Sequence, residues 1–256
     1  VSLAAAALLG TLVLGNVAGA FSTNLQYDGL FNWEIKARIF LVEGGIPGSY
    51  FHDESRRFSH PEYPWLVPLN EAWLYLLSGE AKPIVAKALF PGFHASLLFL
   101  IHGHVTRRVS RPLGLLAAVL VGGVPALASE ATTGYADVPL ALFWTGSVLY
   151  LLEWRATGSR RAALLAALLA ALAAWTKREG LVLAAMQGTA LGLAPWLLGR
   201  RAGARLLGEC ALAGLVVVGP WLALLAFHRP AGTDFVPVTV ASTLERAERI
   251  PALLGQ

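Results

Sequence analysis

The chain has 256 residues, of which 56% are hydrophobic and 14% charged, with a formal net charge of +4 and a mean hydropathy of +0.59. A soluble domain carries about a quarter charged residues, so this composition excludes an ordinary soluble globule and implies an all-α integral membrane protein. The lone Cys210 lies in an apolar run, which excludes a disulfide framework and a thiolate metal site, and the basic residues fall in short clusters between apolar runs, a topology pattern that speaks against nucleic acid.

A helix needs roughly 20 apolar residues to cross the hydrocarbon core. The first such run, 1–21, has no basic region ahead of it, so it reads as a span and not as a cleavable signal peptide. Residues 22–83 form a long loop. Within it, 65–78 (WLVPLNEAWLYLLS) is apolar and aromatic, too short to span, and interrupted by Asn70 and Glu71; it reads as an amphipathic helix lying in the interface. Further spans follow at 84–105, 113–128, 137–152, 162–176, 180–199 and 206–227, about seven in all. The expected architecture is a polytopic helical bundle over 1–227. The Ala/Leu bias at 162–174 needs no explanation beyond a membrane helix, and Gly188 and Gly192 suit helix packing. The chain opens on Val, and 228–256 reads as the start of a later outer loop that is cut short.

The short loops set the orientation. Arg107, Arg108 and Arg111 lie between the second and third spans, Arg155, Arg160 and Arg161 between the fourth and fifth, and Arg200, Arg201 and Arg205 between the sixth and seventh. Alternate basic loops belong to the cytoplasm. The loop at 129–136 has no Lys or Arg and belongs outside, as does 22–83 by alternation. Nearly all the acids then gather at the outer face, Glu153 and Glu209 being the exceptions.

Four polar motifs lie on that face. YDGLFNWEIKAR (27–38) offers Asp28 at the mouth of a pocket with Trp33 and Lys36 nearby, Gly29 permitting a turn. Its periodicity predicts an amphipathic helix from Phe31, with Phe31, Ile35 and Ile39 on one side and Glu34 and Arg38 offset. The plain structural alternative makes Asp28 an N-cap and Trp33 an interface anchor. SHPEYPWLVP (59–68) holds His60, Glu62 and Tyr63 in a segment whose Pro61, Pro64 and Pro68 delay any regular helix until the last of them. His52, Asp53, Glu54, His60 and Glu62 are metal-ligand types, but their spacing matches no established metal motif. GYADVPLALFW (134–144) places Tyr135 and Asp137 at a helix start, where Asp137 serves either as a cap or as a cavity acid. WTKREG (175–180) puts Lys177 and Arg178 at the outer boundary against the positive-inside trend. They either snorkel or bind an anionic group such as a lipid-linked phosphate, with Glu179 holding one of them and Gly180 permitting a break between helices. His102 and His104 sit at the far end of the second span. No phosphate-binding glycine loop or Ser/His/Asp signature is present.

In their order and common sidedness these motifs resemble the membrane-embedded C-type glycosyltransferases, in particular the bacterial protein-mannosyltransferase-like superfamily that uses polyprenyl-phosphate-linked sugars. The resemblance covers roughly 1–200. It implies a multi-pass protein of the cell membrane with an extracytoplasmic active site, moving a sugar from a polyprenyl-phosphate donor to a hydroxyl on a glycan, lipid or protein acceptor. Asp28 then acts near the acceptor as base. Asp137 is the second catalytic acid, binding sugar or acceptor or, in some branches, a divalent cation. Lys177 and Arg178 receive the donor phosphate, with Trp33, Lys36, His60, Glu62, Tyr63, Tyr135 and Glu179 as further substrate-binding residues. No cofactor is required by the motifs, and no dedicated metal site is assigned. Many relatives carry two adjacent acids in the first loop, whereas here Gly29 follows Asp28. Two other readings stand beside this one: a transporter or flippase of lipid-linked substrates, which predicts mid-span charges and broken helices, and a non-catalytic membrane remnant.

Overall fold

The computed structural model describes residues 2–192 and 194–228. Among them there is no β-strand, and the chain is a succession of helices. Helix α1 (Ser2–Ser22) leads into a π-helical turn, Gly29–Glu34, continued by α2 (Ile35–Val42). Two short 3₁₀ segments, Gly48–Phe51 and Glu54–Ser59, connect to α3 (Leu66–Ser78) and α4 (Pro83–Lys87). The remainder comprises α5 (Leu89–Arg108), α6 (Arg111–Gly122), α7 (Pro125–Thr133), α8 (Asp137–Thr157), α9 (Arg160–Thr176), α10 (Arg178–Leu191), α11 (Ala194–Leu198) and α12 (Arg200–His228). The predicted outer loop beyond 228 lies outside the described residues.

Boundaries follow local chemistry. Ser110 and Ser159 accept from the backbone N–H of Leu113 and Ala162, capping α6 and α9. Gly79, Gly134 and Gly158 end α3, α7 and α8 in the left-handed region, where a Cβ is unfavourable. The expected span at 113–128 is not one straight helix. It bends by 66° between α6 and α7, because Pro125 cannot donate and forces Val124 out of helical geometry (φ −72°, ψ 113°). Helix α3 also departs from expectation: it begins at Leu66, two residues before Pro68. First-turn N–H groups have no intrahelical partner, so a proline there removes nothing.

Among the described residues, three helical stretches are long and apolar enough to cross a membrane: Leu3–Ser22, Pro83–Arg108 and Arg200–His228, with a fourth if the bent pair counts as one span. The seven expected segments are helical, that at 180–199 as the separate helices α10 and α11, but among the described residues only three or four have the length of a span. At ~1.5 Å per residue, the 14 residues of α10 reach only about 21 Å.

Helix α9 sits at the centre, packed on α8, α10 and α12. Its alanines turn inward, Ala163, Ala166, Ala170 and Ala173 among them, whereas Leu165 and Leu168 face outward. Small inward residues let backbones approach closely. This arrangement, with large apolar groups outside, reverses the soluble pattern. A second core beneath the long loop joins Phe40, Phe51, Trp65 and Tyr75 to Ala174 and Trp221, fastening the loop onto α9 and α12.

Candidate functional site

The four polar motifs converge at one end of the bundle. Lys177 Nζ donates to Asp137 Oδ1 at 2.8 Å and lies 3.7 Å from Glu179. Arg178 Nη1 lies 3.7 Å from Glu62, and its guanidinium sits 5.5 Å from the Tyr63 ring centre. His60 stacks on Tyr63 at 4.7 Å and approaches Glu62 at 3.6 Å. Lys36 Nζ stands 5.2 Å from the Trp33 ring and 5.6 Å from that of Tyr63. Tyr135 is half-exposed in the turn before α8, and no hydrogen bond or ring contact joins it to the others among the described residues.

The capping alternatives fail geometrically. Asp28 is itself helical and makes no cap bond; it accepts from Asn32 Nδ2 at 3.0 Å. Asp137 is the first residue of α8, Ala136 being the cap position, and its carboxylate is engaged by Lys177. Both acids therefore face other side chains.

Gly29 and Gly180 act through space, not through turns. A Cβ on Gly29 would lie 2.5 Å from the Thr133 carbonyl oxygen and 3.2 Å from Gly134, so the absent side chain lets the first loop rest on the α7–α8 turn. The contact is reinforced by Gln26 N–H donating to the Thr133 carbonyl at 3.1 Å. A Cβ on Gly180 would lie 1.9 Å from the Ala173 carbonyl oxygen, so α10 can begin against the backbone of α9. The break between those helices occurs at Lys177, which is extended (φ −152°, ψ 154°). His60 is the one described non-glycine residue with positive φ, 51°. That conformation costs on the order of 1–2 kcal/mol and turns the chain so that its ring meets Tyr63.

The expected face of the first-loop helix is corrected. The π turn, which adds a residue to one helical turn, buries Asn32, Trp33 and Glu34, and α2 then buries Lys36, Ala37 and Phe40. Phe31, Ile35 and Ile39 are only half-buried. Two charged residues thus occupy the face that periodicity assigns to apolar ones. Glu34 is satisfied by Arg38 at 2.7 Å and by the Tyr75 hydroxyl at 2.8 Å. Lys36 Nζ, although fully buried, makes no hydrogen bond.

Glu71 is the site residue that motif reading passes over. It is fully buried, and neither of its oxygens has a hydrogen-bond partner. Burial pushes its carboxyl well above the usual range, with Glu34 adding to the effect and Lys36 opposing it. Burial likewise brings the Lys36 ammonium down to about 7, against the pull of Glu62, Glu71 and Asp28. At Lys177, burial alone would lower the ammonium; the Asp137 hydrogen bond and charge, with Glu179 and Asp28, outweigh it and raise the group above its ordinary value. Burial lowers the His60 imidazole despite Glu62, and raises the Tyr63 hydroxyl. The one sequence signal for Glu71 is an acid in an otherwise apolar 14-residue run.

In comparisons with known proteins, no family model, curated protein or solved structure matches this chain, so the geometry carries the functional argument. Of the metal-ligand types in the first loop, Asp53 accepts from Ser55 and pairs with Arg56 at 3.0 Å. Among the described residues no three His, Cys, Asp or Glu side chains are grouped to share a metal ion. An apolar cavity of about 380 Å³ between α9, α10 and α12, with Gln187 in its wall, contains none of the predicted site residues.

Proposed function

We propose that the chain is an integral membrane glycosyltransferase that moves a sugar from a polyprenyl-phosphate donor to an acceptor hydroxyl at the extracytoplasmic face. The supporting observation is the convergence of acids and cations from four separate segments, joined through Lys177–Asp137 and Arg178–Glu62, at the bundle end opposite the arginine-rich loops. The outward-facing apolar side chains of α1 and α12 favour a lipid surround.

The roles follow from the partners. Asp137 is held by the Lys177 ammonium at 2.8 Å, so its carboxylate serves to position that cation. Asp28, half-buried and held only by an amide, has no cation bonded to it and is the carboxylate left to receive the acceptor's proton. The acceptor oxygen attacks the anomeric carbon as the sugar–phosphate bond breaks through an oxocarbenium-like state. The hydroxyl proton passes to Asp28, and the electron pair leaves on the phosphate oxygen. Lys177, positioned by Asp137, and Arg178, positioned by Glu62 and Tyr63, stabilise that phosphate. Transfer assays on purified protein in lipid, with a panel of radiolabelled polyprenyl-phosphate sugars, test the assignment. Asp28→Asn lowers turnover by about 10²–10⁴-fold; full activity in that variant would sink it.

The 66° bend between α6 and α7 favours the flippase reading, because broken helices accompany transport. The residues at the bend, Gly122, Gly123 and Val124, carry no charge or polar side chain to engage a substrate, and the enzyme reading accounts for the polar convergence directly.

A further inference from the structure

At the other end of the bundle, three helices begin against the usual electrostatic rule. The N-terminus of a helix carries about half a positive charge and favours acids. Arg111 opens α6, Arg160 and Arg161 open α9, and Arg200 and Arg201 open α12, and none of these first turns contains an acid. The loops and helix ends here carry nine arginines against two carboxylates, Glu153 and Glu209. Both acids are already engaged. Glu153 lies 3.8 Å from Arg108, and Glu209 receives Arg160 at 2.6 Å and Arg205 at 3.2 Å. Among the described residues, Arg111, Arg161, Arg200 and Arg201 have no acidic partner. Among the described residues a positive excess is thus left at one end that their own side chains do not neutralise.

The excess has a shaped recess. Gly158, Arg160, Ala202, Arg205, Leu206 and Glu209 enclose about 430 Å³ between the α8–α9 turn and α12. Glu209 fixes both guanidinium groups there, and it does so through their Nε atoms alone. The terminal nitrogens of Arg160 and Arg205 keep their N–H groups for another acceptor, in the fork geometry that matches a phosphate. Glu209 reduces the charge of the trio to one positive unit, which suits a monoanion better than a highly charged ligand. Trp196, in α11 just ahead of Arg200, is 85% exposed. Exposed tryptophans are enriched at membrane–water boundaries, and an aqueous polyanion gives no reason for one here.

We infer that this recess binds the phosphate of an anionic phospholipid headgroup, with Arg160 and Arg205 as the paired donors and Trp196, in the helix ahead of α12, as an interfacial anchor. The inference rests on the membrane half of the proposed function and is independent of its sugar chemistry.

The test uses the full chain in neutral detergent, titrated with dioctanoyl-phosphatidylglycerol while its thermal midpoint is followed. The expected result is a saturable rise with this lipid, and none with dioctanoyl-phosphatidylcholine or with inorganic phosphate at the same concentration. Arg205→Gln and Arg160→Gln, both at exposed side chains, weaken the apparent affinity about tenfold each, the loss expected for one charge-assisted contact. Equal stabilisation by phosphatidylcholine, or unaltered affinity in both variants, overturns the inference. Inorganic phosphate that protects as well as the lipid makes this a free-anion site and overturns it too. So does an RNA oligonucleotide that binds through the same arginines when the lipid does not. Asp28→Asn protein retains the parent's lipid affinity, so failure of the transfer chemistry and failure of this site give different results.

Discussion

The two ends of the bundle spend charge in opposite ways. At the acidic end, Lys36, Glu34, Glu62 and Glu71 are buried, opposite charges mix, and prolines and aromatic rings fix the backbone. At the arginine end, the charges are exposed and mostly of one sign, and the turns are ordinary capped helix ends. Burial is costly for an ion unless a partner or a function offsets it, whereas exposed arginines cost little wherever they stand. The acidic end is therefore where the fold has committed energy to geometry, and the arginine end is where it has left charge available to the surroundings.

Substitutions at glycines give the sharpest contrast. Gly180→Ala places a methyl group into the α9 backbone, and a carbonyl there has no rotamer by which to yield. Overpacking of this kind costs about 3 kcal/mol or more, and thermal unfolding in detergent or lipid shows it as a large drop in midpoint, or as loss of folded protein. A near-parental midpoint would break the contrast between the two ends.

The next effect is in pH dependence. The Lys36 group falls to about 7 in the folded chain from 10.5, so the unfolded chain binds the extra proton between those values. The lysine's unfavourable contribution is fully present below about pH 7 and fades as pH rises toward 10.5, with a slope of up to about 1.4 kcal/mol per pH unit. Glu71 works in the opposite sense, because a raised carboxyl favours the folded state most at low pH and loses that advantage as pH rises above about 4.5. Lys36→Met removes the alkaline gain: the difference in midpoint between parent and variant changes steadily across pH 7–10. A difference that stays constant over that range would place the ammonium in contact with water.

The smallest effect belongs to the arginine end. Gly158 ends α8 at φ 67° with nothing within 4 Å of the position a Cβ would take. Gly158→Ala meets only backbone strain and costs about 1 kcal/mol. Comparable losses from Gly158→Ala and Gly180→Ala would mean that both ends tolerate packing equally.

Much of this was legible in the sequence. The helices at 1–21, 137–152 and 162–176 follow from predominantly apolar runs, and the acids and cations of the candidate site follow from short polar motifs between them. Pairings across the chain were not legible. Nothing near Lys177 specifies Asp137, 40 residues away, as its partner; only the packing of α8 on α9 does. The burial of Lys36 and Glu71 depends on α3 lying over α2, a long-range fact that periodicity does not carry. The π turn was hidden for the same reason: it shifts the buried face by one residue while leaving composition unchanged. Gly29 and Gly180 were recognised as special, but a single sequence does not tell a glycine chosen for its torsion angles from one chosen for its size. The bend before Pro125 has a local signal in GGVP, since a proline pushes the residue before it out of helical geometry.

The contact between Gly29 and Gly134 has a consequence for motion. Backbone rests on backbone there, with no side chain between, so the joint has no rotamers to exchange and little slack. Asp28 is one residue from one half of this joint, and Asp137 three residues from the other. A displacement of the α7–α8 turn is therefore passed directly to the backbone of the first loop. The backbone spacing of Asp28 and Asp137 is thus set by this contact when the chain folds.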